Sequence, residues 1–304
     1  MTQPGFFSPR ERGFTLIEIA IVIAIMGLLL TMMIGISASL IGQQRREATR
    51  NKLAQVETAL ALFVSQNQRL PCPADGAIPS SGANAGVERT TTVPVTPANQ
   101  CSVDGVAGSQ ARGVVPWRTL GLAEADVTDG WGTRLTYRVT PEFARQYAMN
   151  LSYCDPAGND VTAVPGTPAN PAGYCNPACA SPFVPGNCRA PLLVTVNKGL
   201  EIRNLNVAPT KVMDPAANTG AAYIVVSPGE NRAGGYDGAG VIQAASGPSL
   251  GTEEGRNAAN LGGLGYYVDD FPVYADGTGH FDDFVLRPSI LTVATKAQLG
   301  PRAH

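Results

Sequence analysis

The sequence has few charged side chains and no basic excess. Asp, Glu, Lys and Arg make up 15% of its 304 residues, and the formal net charge is -2. Because nucleic-acid binding favours a strongly basic face, this composition argues against nucleic acid as a partner. Histidine occurs only at His280 and His304, and no Cys-x-x-Cys pair is present. Zinc coordination by paired Cys and His therefore has little support.

One long stretch lacks charge altogether. No ionisable side chain occurs between Glu18 and Arg45, where Ile, Leu, Val, Met and Ala dominate. About twenty apolar residues at about 1.5 Å each cross a hydrocarbon core of roughly 30 Å, so the run predicts a membrane span over about residues 14–42. The run is too long for a cleavable secretory signal peptide. Glu18 stands at its start, and an ionisable group at such a place indicates a function.

The residues around Glu18 follow a specific order, Gly13-Phe14-Thr15-Leu16-Ile17-Glu18, after a short polar leader. This order closely resembles the class III signal of type IV pilins and type II secretion pseudopilins. The resemblance implies that a prepilin peptidase removes residues 1–13, cuts after Gly13 and methylates the new N-terminal Phe14. It also implies that Glu18 pairs with the N-terminal ammonium of a neighbouring subunit, since a buried carboxylate is costly without a partner.

The resemblance also implies a location and a set of partners. The chain is expected as a single-pass protein of the inner membrane with its head in the periplasm, and then as a subunit of a pilus or pseudopilus fibre. Expected partners are other pilin or pseudopilin subunits through the N-terminal helix, the prepilin peptidase, the inner-membrane assembly platform and membrane lipid. The large head favours a minor component, and the choice between type IV pilus, type II secretion and a related fibre stays open.

Residues 14–67 are predicted to form one helix. In its second half, apolar residues recur at three- and four-residue spacing, which predicts a stripe that packs on the sheet of the head. The members of this stripe are Leu53, Val56, Ala59, Leu60, Phe63 and Val64. Pro71 and Pro73 cannot continue a helix, so the helix is expected to end before them. Residues 68–304 then form the globular head.

All six cysteines follow the apolar run: Cys72, Cys101, Cys154, Cys175, Cys179 and Cys188. An even number on that side fits an oxidising compartment such as the periplasm. Residues 77–99 are interpreted as a long surface loop, which makes a Cys72–Cys101 disulfide the simplest pairing. The other four are expected to form two local disulfides of open connectivity. Zinc at Cys175-x-x-x-Cys179 is the less favoured alternative.

The expected fold class is α+β, a long N-terminal helix packed on a loop-rich, disulfide-stapled head with an antiparallel sheet. The 34 Gly and 24 Pro residues indicate many turns. Around residues 134–140, Leu135, Tyr137 and Val139 alternate with polar side chains, which predicts a half-buried strand. Further strands are predicted at 191–197, 221–228, 266–274 and 281–286, a short helix at 141–150 and an exposed loop at 229–265. Trp117 and Trp131 are expected in the core.

Two patterns in the sequence bear on binding or catalytic chemistry. A late acidic, turn-rich stretch suits Ca²⁺, which takes six to eight oxygen ligands, and some pseudopilin heads hold calcium in a late loop. The candidate ligands are Asp269, Asp270, Asp276, Asp282 and Asp283. EF-hand spacing is absent, and solvated turns are the alternative. Residues 247–251 have the Gly-x-Ser-x-Gly order of the nucleophile elbow in serine hydrolases. That motif requires a strand before it and an apolar helix after it, whereas a polar segment follows here, so the match gives little support for a hydrolase. No catalysis by this chain is therefore expected. The alternative function is that of a signal-anchored periplasmic enzyme or binding protein. Adhesion by the head is compatible with a pilin function.

Overall fold

The computed structural model describes residues 15–90, 101–105, 109–144, 149, 197–204, 210–244, 252–259, 265–275 and 277–299. Within its helices the description leaves out the side chains of residues 32–39, 252 and 259. The chain divides into two units, Met1–Arg45 and Arg46–His304.

The described residues form helices and short strands. The helices are α1 (Leu16–Asn67), α2 (Pro141–Ala144), α3 (Thr252–Ala259) and α4 (Ile290–Lys296), with 3₁₀ turns at Glu124–Val127 and Pro215–Ala217. The strands are β1 (Ala74–Asp75), β2 (Gly113–Val114), β3 (Thr136–Val139), β4 (Ile202–Asn204), β5 (Thr210–Met213), β6 (Tyr223–Ser227), β7 (Tyr267–Val268) and β8 (Phe284–Leu286). This order confirms the expected α+β class.

Helix α1 matches the helix predicted from the sequence. It begins at Leu16 and ends at Asn67, and Gln68 leaves it with a positive φ of 53°. Pro71 follows three residues later, where its ring cannot continue a helix. The predicted apolar stripe is buried at every position except the half-buried Ala59. Leu53, Val56, Leu60 and Val64 of the stripe pack in one core cluster with residues of the main sheet, which confirms the predicted role of the stripe.

The main sheet has five antiparallel strands in the order β1-β2-β3-β6-β8. Strand β6 is an interior strand, as its apolar run predicts. Tyr223 and Val225 belong to the cluster that contains the α1 stripe, and Ile224 and Val226 belong to a second cluster. Since successive side chains of a strand point to opposite faces, β6 is buried on both.

A second sheet, with the order β5-β4-β7, contributes to the second cluster. Strands β4 and β5 are antiparallel, whereas β4 and β7 are parallel. The sequence analysis foresaw an antiparallel sheet only. Ile202, Met213 and Tyr267 of this sheet pack with Ile224 and Val226 of β6, so the second sheet covers a face that the pattern alone could not assign.

The prediction of a half-buried strand around β3 is wrong. Every residue from Thr133 to Thr140 is buried, including Arg134, which is fully inaccessible, and Arg138 at 1%. Both arginines donate to backbone carbonyls: Arg138 to the Gly113 oxygen at 2.6 Å, and Arg134 to the Gly76 oxygen at 2.9 Å. Polar side chains fill the second face because each of these guanidinium groups has backbone acceptors within reach.

The interpretation of residues 229–265 as an exposed loop is also wrong in part. Residues 252–259 form helix α3, in which Glu254, Asn257 and Ala258 are buried. The Asn257 side chain binds both backbone groups of Val268 in β7, accepting from its N–H and donating to its carbonyl at 2.9 Å each. This pairing fixes a helix whose residues form no long apolar stripe.

Other predicted segments are confirmed in part. Strands β7 and β8 lie within the predicted ranges 266–274 and 281–286 but are shorter, and α2 covers the first four residues of the predicted helix at 141–150. The strand predicted at 191–197 lies outside the described residues except for Asn197. Trp117 and Trp131 are both buried, as predicted. Gly86 lies against Trp117, and a Cβ there would come within 2.2 Å of the indole ring.

The Cys72–Cys101 disulfide is present and confirms the predicted pairing. Around it, Thr90 forms a β-bridge with Cys101, and residues 77–90 have turns without regular strands, in keeping with the predicted loop. Cys154, Cys175, Cys179 and Cys188 lie outside the described residues.

Removing this disulfide is expected to destabilise the head. Its partners are 29 residues apart, and closing a loop of that length contributes on the order of 3–4 kcal/mol by the chain-entropy model. The double variant Cys72→Ser/Cys101→Ser should lower the free energy of unfolding by that amount, measured by urea unfolding of the full chain in detergent. The double variant is preferable to a reducing agent, which would also act on the other four cysteines. A loss below about 1 kcal/mol would contradict this prediction.

Candidate functional site

The first turn of α1 holds Glu18 in a capping box. The Glu18 Oε2 atom accepts hydrogen bonds from the Thr15 backbone N–H and from the Thr15 hydroxyl, both at 2.9 Å. In return, the Glu18 backbone N–H donates to Thr15 Oγ1 at 3.3 Å. This reciprocal pattern satisfies donors that a helix start leaves without partners. In the single chain, Glu18 therefore caps its own helix through one of its two carboxylate oxygens.

The residues that follow Glu18 expose a continuous apolar surface. From Leu16 to Leu30, the large apolar side chains are between 48% and 90% exposed in the single chain. An apolar surface of this kind marks an interaction site for protein or membrane. Over the part of the chain that the structure describes, no helix is both long enough and apolar enough to cross a membrane. The side chains of residues 32–39, in the middle of the predicted span, lie outside that part.

The predicted processing residues, Gly13 and Phe14, lie outside the described residues. Of the three N-terminal site residues predicted from the sequence, the structure thus describes Glu18.

The Asp129 turn joins α1 to the main sheet. Asp129 is buried, and its Oδ1 atom accepts from the backbone N–H groups of Trp131 and Thr133 at 2.9 Å each. Its Oδ2 atom accepts from the Ser227 hydroxyl at 2.8 Å. Burial raises the pKa of this carboxyl group, and these hydrogen bonds act in the opposite direction. The two carboxylate oxygens of Asp129 thus fix the conformation of the turn, one by binding its own backbone and the other by binding Ser227 of β6.

Two side chains of α1 bind this turn. Thr49 Oγ1 accepts from the Gly130 backbone N–H at 3.0 Å, and Lys52 Nζ donates to the Thr128 carbonyl at 2.6 Å. These contacts are polar and specific, and they add to the apolar packing of the stripe. The second half of α1 is therefore fixed in its rotation about its own axis relative to the sheet.

The predicted calcium ligands do not meet as one group among the described residues. Asp269 pairs with Arg287, and Asp270 Oδ1 accepts from the Phe271 backbone N–H at 2.7 Å. Asp283 accepts from the Asn257 side chain at 2.7 Å, while Asp282 lies in a different cluster of side chains. Asp276 lies outside the described residues. Calcium at these positions stays a prediction.

A different group of donor atoms meets beside Asp282. Glu254 of α3, His280 and Asp282 each offer one atom to a site in which all three atoms lie within 4.8 Å of one another. The three residues are buried, with exposures of 1%, 7% and 4%. Together they form the Glu254–His280–Asp282 cluster. Among the described residues, it is the group of three that could hold a metal ion.

Burial sets the electrostatics of this cluster. It raises the pKa of Glu254 to about 9, and the nearby carboxyl groups of Asp282 and Asp283 act in the same direction. Burial also raises the pKa of Asp283 well above its usual range, with the Asn257 amide acting in the opposite direction. Several carboxyl groups share one water-poor region, which favours any positive charge that enters it.

Sequence reasoning missed two members of this cluster. His280 and Asp282 are two residues apart in an extended segment, a spacing that places both on the same side of the chain. This two-residue spacing is the feature of the sequence from which His280 could have been predicted as a partner of Asp282. For Glu254 the sequence offered no such feature. Its helix was interpreted as an exposed loop, and its approach to His280 depends on tertiary packing.

A comparison with protein-family models matches residues 8–34 to the prokaryotic N-terminal methylation motif. Comparisons with curated proteins and with solved structures found no match. The matched residues include Gly13, Phe14 and Glu18. The chain therefore carries, over residues 8–34, the N-terminal signal found in type IV pilins and pseudopilins.

Proposed function

We propose that this chain is a minor pilin or pseudopilin, a structural subunit of a type IV pilus or of a type II secretion-like fibre. The observation that carries the proposal is the order of Gly13, Phe14 and Glu18 at the start of an uncharged apolar run, within the matched motif. Prepilin peptidase cuts after Gly13 and methylates Phe14. The exposed apolar surface of α1 then packs against the same helix of other subunits.

The proposed location follows from the same signal. Before assembly, the apolar run anchors the precursor in the inner membrane, in contact with lipid and with the assembly platform, and the head lies in the periplasm. The Cys72–Cys101 disulfide supports this orientation, since disulfides persist in oxidising compartments. In the fibre, the carboxylate of Glu18 pairs with the methylated ammonium of Phe14 from a neighbouring subunit.

The capping box is compatible with this pairing. Thr15 occupies Oε2 of Glu18, and an ionised carboxylate has two oxygens with about four acceptor positions. A neighbouring ammonium can therefore bind Glu18 while the cap remains in place. The cap also orders the first turn of α1, which orients the carboxylate before a neighbour arrives.

Processing of the N-terminus is the first expected result. In the native host, the mature chain should begin at Phe14 with one added methyl group, detected by mass spectrometry of the N-terminal peptide. A Gly13→Val variant should remain at precursor length. The leader offers a matched control, because Gly5-Phe6 is a second Gly-Phe pair without Glu18 or the apolar run directly after it. A Gly5→Val variant should therefore be processed normally.

An unprocessed wild-type chain would contradict the proposal, provided that other pilins of the same strain are processed. An N-terminus at Met1 or Thr2 would indicate a signal-anchored protein, whose head would then have to act as an enzyme or as a binding domain.

A further inference from the structure

We propose that the Glu254–His280–Asp282 cluster binds one divalent transition-metal ion, with zinc as the expected ion. This proposal concerns the head and goes beyond the proposed fibre function, on which it does not depend. It is carried by the atoms that face one another inside the cluster.

Two of these atoms are buried without a hydrogen-bond partner: Nε2 of His280 and Oδ1 of Asp282. They lie 3.8 Å apart, which is too long for a hydrogen bond. Buried polar atoms without a partner are rare in native proteins and call for an explanation. A metal ion between these atoms would satisfy both.

The opposite ends of the same side chains are occupied. His280 Nδ1 lies 3.3 Å from the carbonyl oxygen of Ala275, a contact in which Nδ1 carries the proton. Asp282 Oδ2 accepts from the Glu230 backbone N–H at 2.6 Å. A ring nitrogen that donates to a carbonyl leaves the other with a lone pair, as in most metal-binding histidines. With Nδ1 carrying the proton, the neutral imidazole presents the lone pair of Nε2 to a carboxylate oxygen, an arrangement that a cation between them stabilises.

The donor set indicates which ion fits. One imidazole nitrogen and two carboxylate groups are ligands that zinc takes at about 2.0–2.2 Å in tetrahedral geometry. Because the raised pKa of Glu254 keeps its carboxyl group protonated near neutral pH, binding of the ion releases that proton to solvent. Tetrahedral ligand atoms at that distance are about 3.4 Å apart, so the 3.8 Å between Nε2 and Oδ1 needs only a small closure. Calcium prefers six to eight oxygen ligands, and an imidazole suits zinc and its neighbours better.

The surroundings hold the cluster in position. Gly229 has a φ of +66°, and a Cβ there would come within 2.5 Å of the Asp282 side chain, so a glycine lets the backbone approach this carboxylate. On α3, the Asn257 side chain fixes the helix to Val268. The ligands thus come from α3 and from the segment before β8, two parts of the head that a metal ion would join. Their burial indicates a structural site.

The test uses the full chain in detergent, stripped with a chelator and then given Zn²⁺, Ca²⁺ or Co²⁺ alone. Elemental analysis after desalting should find one Zn²⁺ per chain, and Zn²⁺ should raise the thermal midpoint of the head where Ca²⁺ does not. Co²⁺ should give the visible absorption bands of a tetrahedral site with nitrogen and oxygen ligands. These wild-type measurements need no variant to fold.

Variants then locate the ion. His280→Gln and Glu254→Gln should each weaken Zn²⁺ binding by more than the roughly 10- to 100-fold that substitutions outside the ligand shell cost. Asp270→Asn is the matched control, since it removes another carboxylate of the late acidic stretch and leaves the three donors intact. Its Zn²⁺ affinity should equal that of wild type.

Three outcomes would overturn the proposal. The first is a wild-type chain that retains no stoichiometric Zn²⁺ and shows no thermal shift. The second is Zn²⁺ binding that survives His280→Gln, which would assign the ion to other groups such as the cysteines between residues 154 and 188. The third is preferential Ca²⁺ binding that Asp270→Asn abolishes, which would assign a calcium site to the acidic stretch.

Discussion

Glu18→Gln should abolish assembly of this chain into fibres while leaving the head folded and the N-terminus processed. In the proposed fibre, the Glu18 carboxylate neutralises the ammonium of a neighbouring Phe14 in an apolar helix bundle. An amide cannot supply that charge, and a buried ammonium without a partner is strongly unfavourable. The measurement is the amount of the chain recovered in sheared fibres relative to the amount in the membrane, and near-complete loss from fibres is expected.

The choice of Gln separates charge from helix capping. Gln serves as well as Glu at this position of a capping box, so Glu18→Gln retains the cap seen in the structure and removes only the charge. Thr15→Ala is the converse variant, because it removes the hydroxyl that binds Glu18 and retains the carboxylate. Thr15→Ala should assemble, and Glu18→Ala, which lacks both features, should fail as Glu18→Gln does.

The opposite order of assembly for these two variants would contradict charge pairing by Glu18. If Glu18→Gln assembled like wild type and Thr15→Ala did not, the function of Glu18 would be to order the first turn of α1. Circular dichroism and protease resistance of the head would establish in each case that the variant is folded.

Arg134→Ala should be the most destabilising single substitution proposed for the head, lowering the free energy of unfolding by about 3–5 kcal/mol. Arg134 is fully buried and pairs with Glu124 at 2.7 Å. Its guanidinium group also donates to Gly76, Ile78, Ser80 and Gly238. Removing it leaves the buried carbonyl of Gly76 and the half-buried carbonyl of Ile78 without this donor, and a buried acceptor without a donor carries a desolvation cost.

Arg118→Ala is the matched control, because Arg118 is exposed and surface substitutions usually stay within about 0.5 kcal/mol of wild type. Arg134→Lys should retain the charge but lose most of the donors, since an ammonium cannot reproduce the planar fork of a guanidinium group. Urea unfolding followed by tryptophan fluorescence compares the three variants. Equal stability of Arg134→Ala and Arg118→Ala would show that the buried network contributes little.

The features of the N-terminal part of the chain could be predicted from the sequence because they depend on residues that are close together along the chain. The order of Gly13, Phe14 and Glu18 lies within six residues, and the stripe of α1 repeats every three or four residues. Pro71 ends the helix by its own covalent geometry. The Cys72–Cys101 pairing was also accessible, since the two cysteines bracket one loop.

The head was harder to predict because its decisive contacts join distant residues. Alternation around Leu135 correctly placed Tyr137 and Val139 in the core, but it could not reveal what covers the other side of the strand. Arg134 and Arg138 alternate with the core residues as solvent-facing side chains would. In the structure, Arg134 donates to the carbonyl of Gly76 and Arg138 to the carbonyl of Gly113 in β2. Helix α3 likewise depends on the binding of Asn257 to Val268, eleven residues away, and not on a stripe of its own.

The local sequence predicts the leader and the processing site, and it places the charged residue at the start of the apolar run and the bounds of α1, since each depends on neighbouring residues along one chain. Tertiary structure alone decided the second sheet, the burial of Arg134 and Arg138, and the meeting of Glu254 with His280 and Asp282. The physical reason is that hydrogen bonds and burial depend on proximity in space, and residues 26 positions apart, such as Asn257 and Asp283, become neighbours only when the chain folds.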